Sequence, residues 1–135
     1  MALIVDTGPL VAMLDASDPD HRQCADLLHG SAEPRVVPVC VLVEVECLLR
    51  PWPDAFPALL TDFETGALEL VDLPARWLLR AGELIARYRE LSLGLVDATV
   101  IAASEMLDEP KVATLDRRHF SVVRPDHVET LTLLP

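Results

Sequence analysis

The chain has 135 residues, 22 acids against 11 basic residues for a formal charge of −11, and a composition that is 51% hydrophobic. That length suits one domain, 1–135, with enough apolar residues for a substantial core. The acid excess argues against holding nucleic acid through a broad basic surface, so any nucleic acid has to be gripped locally.

The first run, Ala2-Leu3-Ile4-Val5, is cut by Asp6 and lacks a basic leader, so it reads as a buried strand rather than a membrane span or secretory segment. Gly8-Pro9 can open a helix with proline in its first position, predicted over 9–14, and a second helix is expected over 19–29. A strand at Val36–Val39 precedes a helix over 42–50, which Pro51 and Pro53 end. Another helix is expected over 54–65, followed by a strand at Leu68–Leu73. Pro74 then introduces a helix over 75–90, and a further helix covers 96–107. Val112–Leu115 and Val122–Val123 complete the predicted strands. Alternation of this kind points to an α/β fold, a three-layer α/β/α sandwich around a mainly parallel sheet of about five strands.

Within the helix over 75–90, Arg76, Arg80, Glu83 and Arg87 share one face. That face could meet RNA phosphates, but pairing of Glu83 with Arg80 and Arg87 is the favoured reading. Cys24, Cys40 and Cys47 lack the spacing of a zinc site and suit reduced thiols in a cytoplasm; Cys40 and Cys47 are expected to pack as small hydrophobes.

In an open parallel sheet, ligands bind beyond the carboxyl ends of the strands. Four acids fall there: Asp6 after the first strand, Glu44 where the helix after Val36–Val39 begins, Asp97 opening its helix, and Asp116 after Leu115. Converging carboxylates repel by about 4 kcal/mol per pair at 4 Å and an effective dielectric of 20, which a hard divalent cation would offset. Such a site suits phosphodiester hydrolysis. Taken singly, each acid has a duller role as a helix N-terminal, solvated or turn residue. Glu46, about 200° around the helix from Glu44, competes with it for the site. Glu44 is preferred for its nearness to the helix start and the strand end.

The segments Ile4-Val5-Asp6-Thr7-Gly8-Pro9-Leu10, Val41 to Leu49, Leu93 to Ala103 and Val112 to Phe120 together resemble the PIN-domain family, specifically its VapC-like toxins, across nearly the whole chain. The resemblance implies a metal-dependent endoribonuclease in which activated water attacks phosphorus, leaving 5′-phosphate and 3′-hydroxyl ends. It implies Asp6 and Asp97 as principal ligands of Mg²⁺ or Mn²⁺, with Glu44 and Asp116 completing the cluster. Thr114 would stand where the family often carries Thr or Ser and could orient an acid or water, or be an ordinary strand residue. Arg117 and Arg118 could hold a phosphate near the site, whereas His119 and Phe120 are expected to dock their loop. The resemblance further implies a homodimer, a VapB-like antitoxin lying across the acidic site, an RNA substrate, a cytoplasmic location and no membrane association.

Two other classes compete. An aspartyl-phosphate phosphatase needs a lysine near its acid, yet Lys111, the one lysine, precedes its strand and belongs at the opposite edge. A PIN-like module that binds RNA or protein without cutting is disfavoured by the complete set of acids.

Overall fold

The computed structural model describes all residues, Met1–Pro135. Five short strands form one sheet: β1 (Leu3–Val5), β2 (Arg35–Pro38), β3 (Glu69–Val71), β4 (Lys111–Ala113) and β5 (Thr132–Leu134). Their order is β3-β2-β1-β4-β5, and every neighbouring pair is parallel. Seven helices surround them: α1 (Thr7–Leu14), α2 (His21–Gly30), α3 (Val39–Leu49), α4 (Ala55–Glu64), α5 (Ala75–Arg87), α6 (Leu95–Met106) and α7 (Arg117–Val122), with a 3-10 turn at Arg89–Leu91. This is the α/β/α architecture anticipated from the sequence. Leu3, Ile4 and Val5 are all buried, as a strand covered on both faces requires.

The strand order fixes where a ligand can sit. From β1 the chain winds outward through β2 and β3, then returns to the other side of β1 for β4 and β5. The switch point lies between β1 and β4, and the loops beyond their carboxyl ends diverge to open a crevice. The Ile4–Val112 and Val5–Ala113 register places Asp6 beside Thr114. Asp6 N donates to the Ala113 carbonyl at 2.9 Å, extending the pairing to the acid itself. Gly8 keeps this edge narrow, since a Cβ there would stand 3.2 Å from Leu115 Cβ.

Three sequence expectations change. The final strand is Thr132–Leu134, which pairs with β4, while Val122 ends α7 and Val123 is its buried cap. Phe120 and Val123 face the core from a helical turn, a spacing that the Val122-Val123 dipeptide disguises as a strand. Helix α3 starts at Val39, directly after Pro38, so Glu44 sits in its second turn rather than at its start. Within α3, Val41, Val45 and Leu49 are buried and Leu42 packs against the core; Cys47 is exposed and Cys40 half-buried, while Cys24 on α2 is buried. No helix is long and apolar enough to cross a membrane.

Candidate metal centre

Asp6 is the most enclosed of the four acids, with only 5% of its surface exposed. One oxygen, Oδ2, accepts from Thr114 Oγ1 at 2.8 Å, whereas Oδ1 is buried with no hydrogen-bond partner. The neighbouring Thr7 hydroxyl is likewise buried and unpartnered. Burial pushes the Asp6 carboxyl up to about 6, against the opposing pull of the Thr7 amide and the Thr114 hydroxyl; the charges of Asp97 and Glu44 raise it further.

Thr114 also ties Asp6 to Asp116, because its hydroxyl accepts from the Asp116 amide at 3.0 Å. Asp116 caps α7 by accepting from His119 N at 3.1 Å, which turns the chain immediately after β4. Asp97 lies in the first turn of α6. Burial and the charge of Asp116 hold Asp97 above the usual carboxylate range, while His119 and the Gly94 amide pull it down.

Glu44 stands at the rim, solvent-exposed, and is raised by partial burial of its carboxylate and by the charge of Asp97. Glu46 turns away and pairs with Arg50 at 3.0 Å, one helical turn on. Of the two glutamates, Glu44 is the one whose carboxyl is raised by the charge of Asp97, while Glu46 is engaged by Arg50.

His119 was the residue that sequence reasoning undervalued. Its Nδ1 stands 2.8 Å from Asp116 Oδ2 and 3.1 Å from Asp97 Oδ2, and its Nε2 donates to the Leu91 carbonyl at 3.0 Å. The ring thus docks α7 against the 3-10 turn, as expected of a loop anchor, and also gathers two of the acids. The available signal was the Asp116-x-x-His119 spacing, which puts both side chains on one face once a helix starts there. Phe120 is buried, in keeping with its expected docking role.

The two arginines after Asp116 diverge. Arg117 donates to the Pro135 carbonyl, and Arg118 is exposed with no partner. On α5, Arg80 is drawn into a hollow at the other end of α6, where it meets Glu105 at 2.8 Å, Asp126 at 3.3 Å and Glu83 at 3.4 Å. Lys111 pairs with Glu33 at the edge of the sheet opposite the acids.

These donors fit a hard divalent cation. Ligand atoms of Asp97, Asp116 and His119 lie within 4.8 Å of one another. Beside them Asp6 Oδ1 is buried without a partner, and after burial itself the repulsion among the four acids raises the carboxyls of Asp6, Asp97 and Glu44, a repulsion that a bound cation would relieve.

Comparison with known proteins agrees with this arrangement. The sequence pattern of the PIN domain matches residues 3–124. Ribonuclease VapC26 of Mycobacterium tuberculosis is 33% identical over 135 residues, covering 98% of this chain and all of the relative. Among solved structures, the fold resembles Mycobacterium tuberculosis VapC20, described as a sarcin-ricin loop cleaving toxin, with a TM-score of 0.79 and 22% identity over 86% of this chain and 91% of that one. It also resembles a chain of VapBC2 from Rickettsia felis, solved bound to a DNA fragment from its promoter, with a TM-score of 0.70 and 16% identity over the whole of both chains. With the family pattern spanning all four acids and a relative this similar along nearly its full length, the chain belongs to the PIN-domain family.

Proposed function

We propose that residues 1–135 form one PIN-like nuclease unit, a metal-dependent endoribonuclease that acts as the toxin of a VapBC-like pair. The observation that carries the site assignment is the buried, unpartnered Asp6 Oδ1 beside the gathered side chains of Asp97, Asp116 and His119. Asp6, Asp97 and Asp116 would hold the ion, Mg²⁺ or Mn²⁺, with Glu44 reaching in from the rim. When bound, a divalent cation supplies charge that polarises the scissile phosphoryl group and acidifies the attacking water.

The protein's own part is orientation. Thr114 occupies Asp6 Oδ2 and so leaves Oδ1 as the oxygen without a partner in the protein. His119 holds Asp97 and Asp116 together, and the cap on α7 fixes Asp116. No side chain has to act as a covalent nucleophile, so the thiols and the remaining hydroxyls need no catalytic part.

The same reading assigns an RNA substrate, a homodimer, a cytoplasmic location and an antitoxin whose basic side chains approach the acidic crevice. The relative's description as a ribonuclease and the VapBC2 structure among the structural neighbours support it. The charge of −11 favours such a basic partner.

The test is incubation of purified chain with total RNA in Mg²⁺, in Mn²⁺ and in EDTA, alongside Asp97→Asn. Cleavage confined to the metal-containing wild-type reactions is expected. Cutting that survives EDTA or the substitution would reject the assigned centre, and a folded protein that cuts no RNA would favour a binding module.

A further inference from the structure

Five of the eleven basic residues are engaged inside the protein. Arg35 donates to the carbonyls of Ser31 and Ala67, Arg50 pairs with Glu46, Arg80 with Glu105 and Lys111 with Glu33, and Arg117 donates to Pro135. The other six side chains, those of Arg22, Arg76, Arg87, Arg89, Arg118 and Arg124, have no hydrogen bond or salt bridge to the protein. Four of these six come from elements that meet near the acidic site: Arg87 at the end of α5, Arg89 in the 3-10 turn, Arg118 in α7 and Arg124 in the segment that follows it.

The end of α5, the 3-10 turn and α7 enclose an open groove of about 610 Å³, in which Arg87 and Arg89 stand with Tyr88, Glu90, Leu91 and Val122. Arg118 precedes Val122 by one helical turn and so shares its face of α7. Arg124 is joined to the groove through its amide, which donates to Tyr88 Oη at 2.9 Å. Leu91 makes the link to the acids, because its carbonyl accepts from His119 Nε2 while His119 Nδ1 stands at Asp116 and Asp97. The groove is thus one side chain away from the proposed metal centre.

We propose that this groove binds the single-stranded RNA flanking the scissile phosphate, with Arg87, Arg89, Arg118 and Arg124 meeting its backbone. The inference rests on the nuclease reading above and names the surface that reading lacks. A body of charge −11 repels a polyanion overall, so free cations near the acids mark where RNA can be held; Arg87 and Arg89 outnumber Glu90 in the groove, and binding here breaks no internal ion pair. Arg87 lies over the Tyr88 ring, 5.9 Å from its centroid, presenting a guanidinium plane. Leu91 and Val122 supply apolar wall. Planar and apolar surfaces of this kind suit unstacked bases, which a single strand offers and a duplex does not. The arginine face on α5 is thereby split: Arg80 is neutralised by Glu105, and Arg87 turns toward the groove.

The test measures binding of a fluorescein-labelled, mixed-sequence single-stranded RNA in EDTA by anisotropy across a salt series. It uses wild type, Arg87→Ser/Arg89→Ser, Arg87→Lys/Arg89→Lys and, as an off-groove control, Arg22→Ser/Arg76→Ser. Each phosphate contact on a single strand contributes about 0.7 to the slope of log K against log salt, so the groove serine pair is expected to reduce that slope by about 1.4. The lysine pair should keep the slope, and the control should match wild type. In cleavage assays with Mg²⁺, the groove serine pair should raise KM with kcat little changed. A wild-type slope and KM in the groove serine pair, from a protein that still cuts RNA, would overturn the groove and leave the nuclease standing. Loss of antitoxin affinity with unaltered RNA binding would also overturn it, by giving the groove to a protein partner. A wild-type chain that neither binds nor cuts RNA would bring down both readings.

Discussion

Thr114 donates to Asp6 across the β1–β4 pair at 2.8 Å, and both side chains are shut off from solvent. The same hydroxyl accepts from the Asp116 amide at 3.0 Å, so one oxygen sets the positions of two acids. Thr114→Val keeps the shape of the strand residue and removes both bonds. It is expected to destabilise the fold by about 1–3 kcal/mol, because the buried Asp6 oxygen and the part-buried Asp116 amide lose their partner. Affinity for Mn²⁺ should fall about 10- to 100-fold, the usual cost of losing a group that orients a ligand. Thr114→Ser should restore most of both, as read by urea denaturation and metal titration. Wild-type behaviour in the valine variant would reduce Thr114 to an ordinary strand residue.

The buried Asp6 makes the metal-free protein sensitive to pH. Its folded-state carboxyl lies near 6, above the ordinary 3.8, so the neutral form is the one the fold favours. The resulting stabilisation is complete below about 3.8 and is lost as pH rises through about 6, a difference of about 3 kcal/mol. Glu44 and Asp97 are shifted the same way and act in the same direction. Thermal unfolding in EDTA should therefore give a higher Tm near pH 5 than near pH 7.5, and Asp6→Asn should flatten much of that difference. A wild-type Tm that climbs steadily from pH 5 to 7.5 would contradict the assigned burial.

Helical phase separates the two glutamates of α3. Glu44→Gln removes a carboxylate coupled to Asp97 and should lower metal-dependent cleavage about 10- to 100-fold. Glu46→Gln loses only an exposed pair with Arg50 and should cut RNA at the wild-type rate. The reverse ranking of the two rates would show that Glu46 serves the site.

Arg80 has a structural task remote from the acids. The side chain of Glu105 is 4% exposed and depends on Arg80 at 2.8 Å, with the Asp126 amide as a further donor at 3.0 Å. Arg80→Met leaves that carboxylate without its cation and should cost about 3–5 kcal/mol in urea denaturation. Arg80→Met/Glu105→Met should recover much of the loss. RNA binding at a temperature where the single variant is folded should be unchanged. A stable variant that binds RNA weakly would return Arg80 to the substrate surface.

Much of the sheet and the acidic edge was legible because apolar β-branched runs end in acids at the strand carboxyl ends. Leu3–Val5 with Asp6, and Lys111–Ala113 with Asp116, carry their position in their pattern. Thr132–Leu134 did not, since a three-residue edge strand owes its existence to pairing with β4, a contact formed by tertiary packing. Val39 suits a strand because β-branched residues lower helix propensity, yet Pro38 at the helix cap starts α3 there. His119 beside Phe120 looked like a loop anchor. Its second role became visible only when α6 and the 3-10 turn placed Asp97 and the Leu91 carbonyl on either side of its ring.

The cation site itself is open to direct measurement by titration calorimetry of Mn²⁺ into wild type, Asp97→Asn and Glu46→Gln near pH 7. Saturable binding by wild type and Glu46→Gln, with affinity lost at least about tenfold in Asp97→Asn, is the expected result. Equal affinity in wild type and Asp97→Asn, or no binding by the folded wild-type chain, would contradict a metal centre built from Asp6, Asp97 and Asp116.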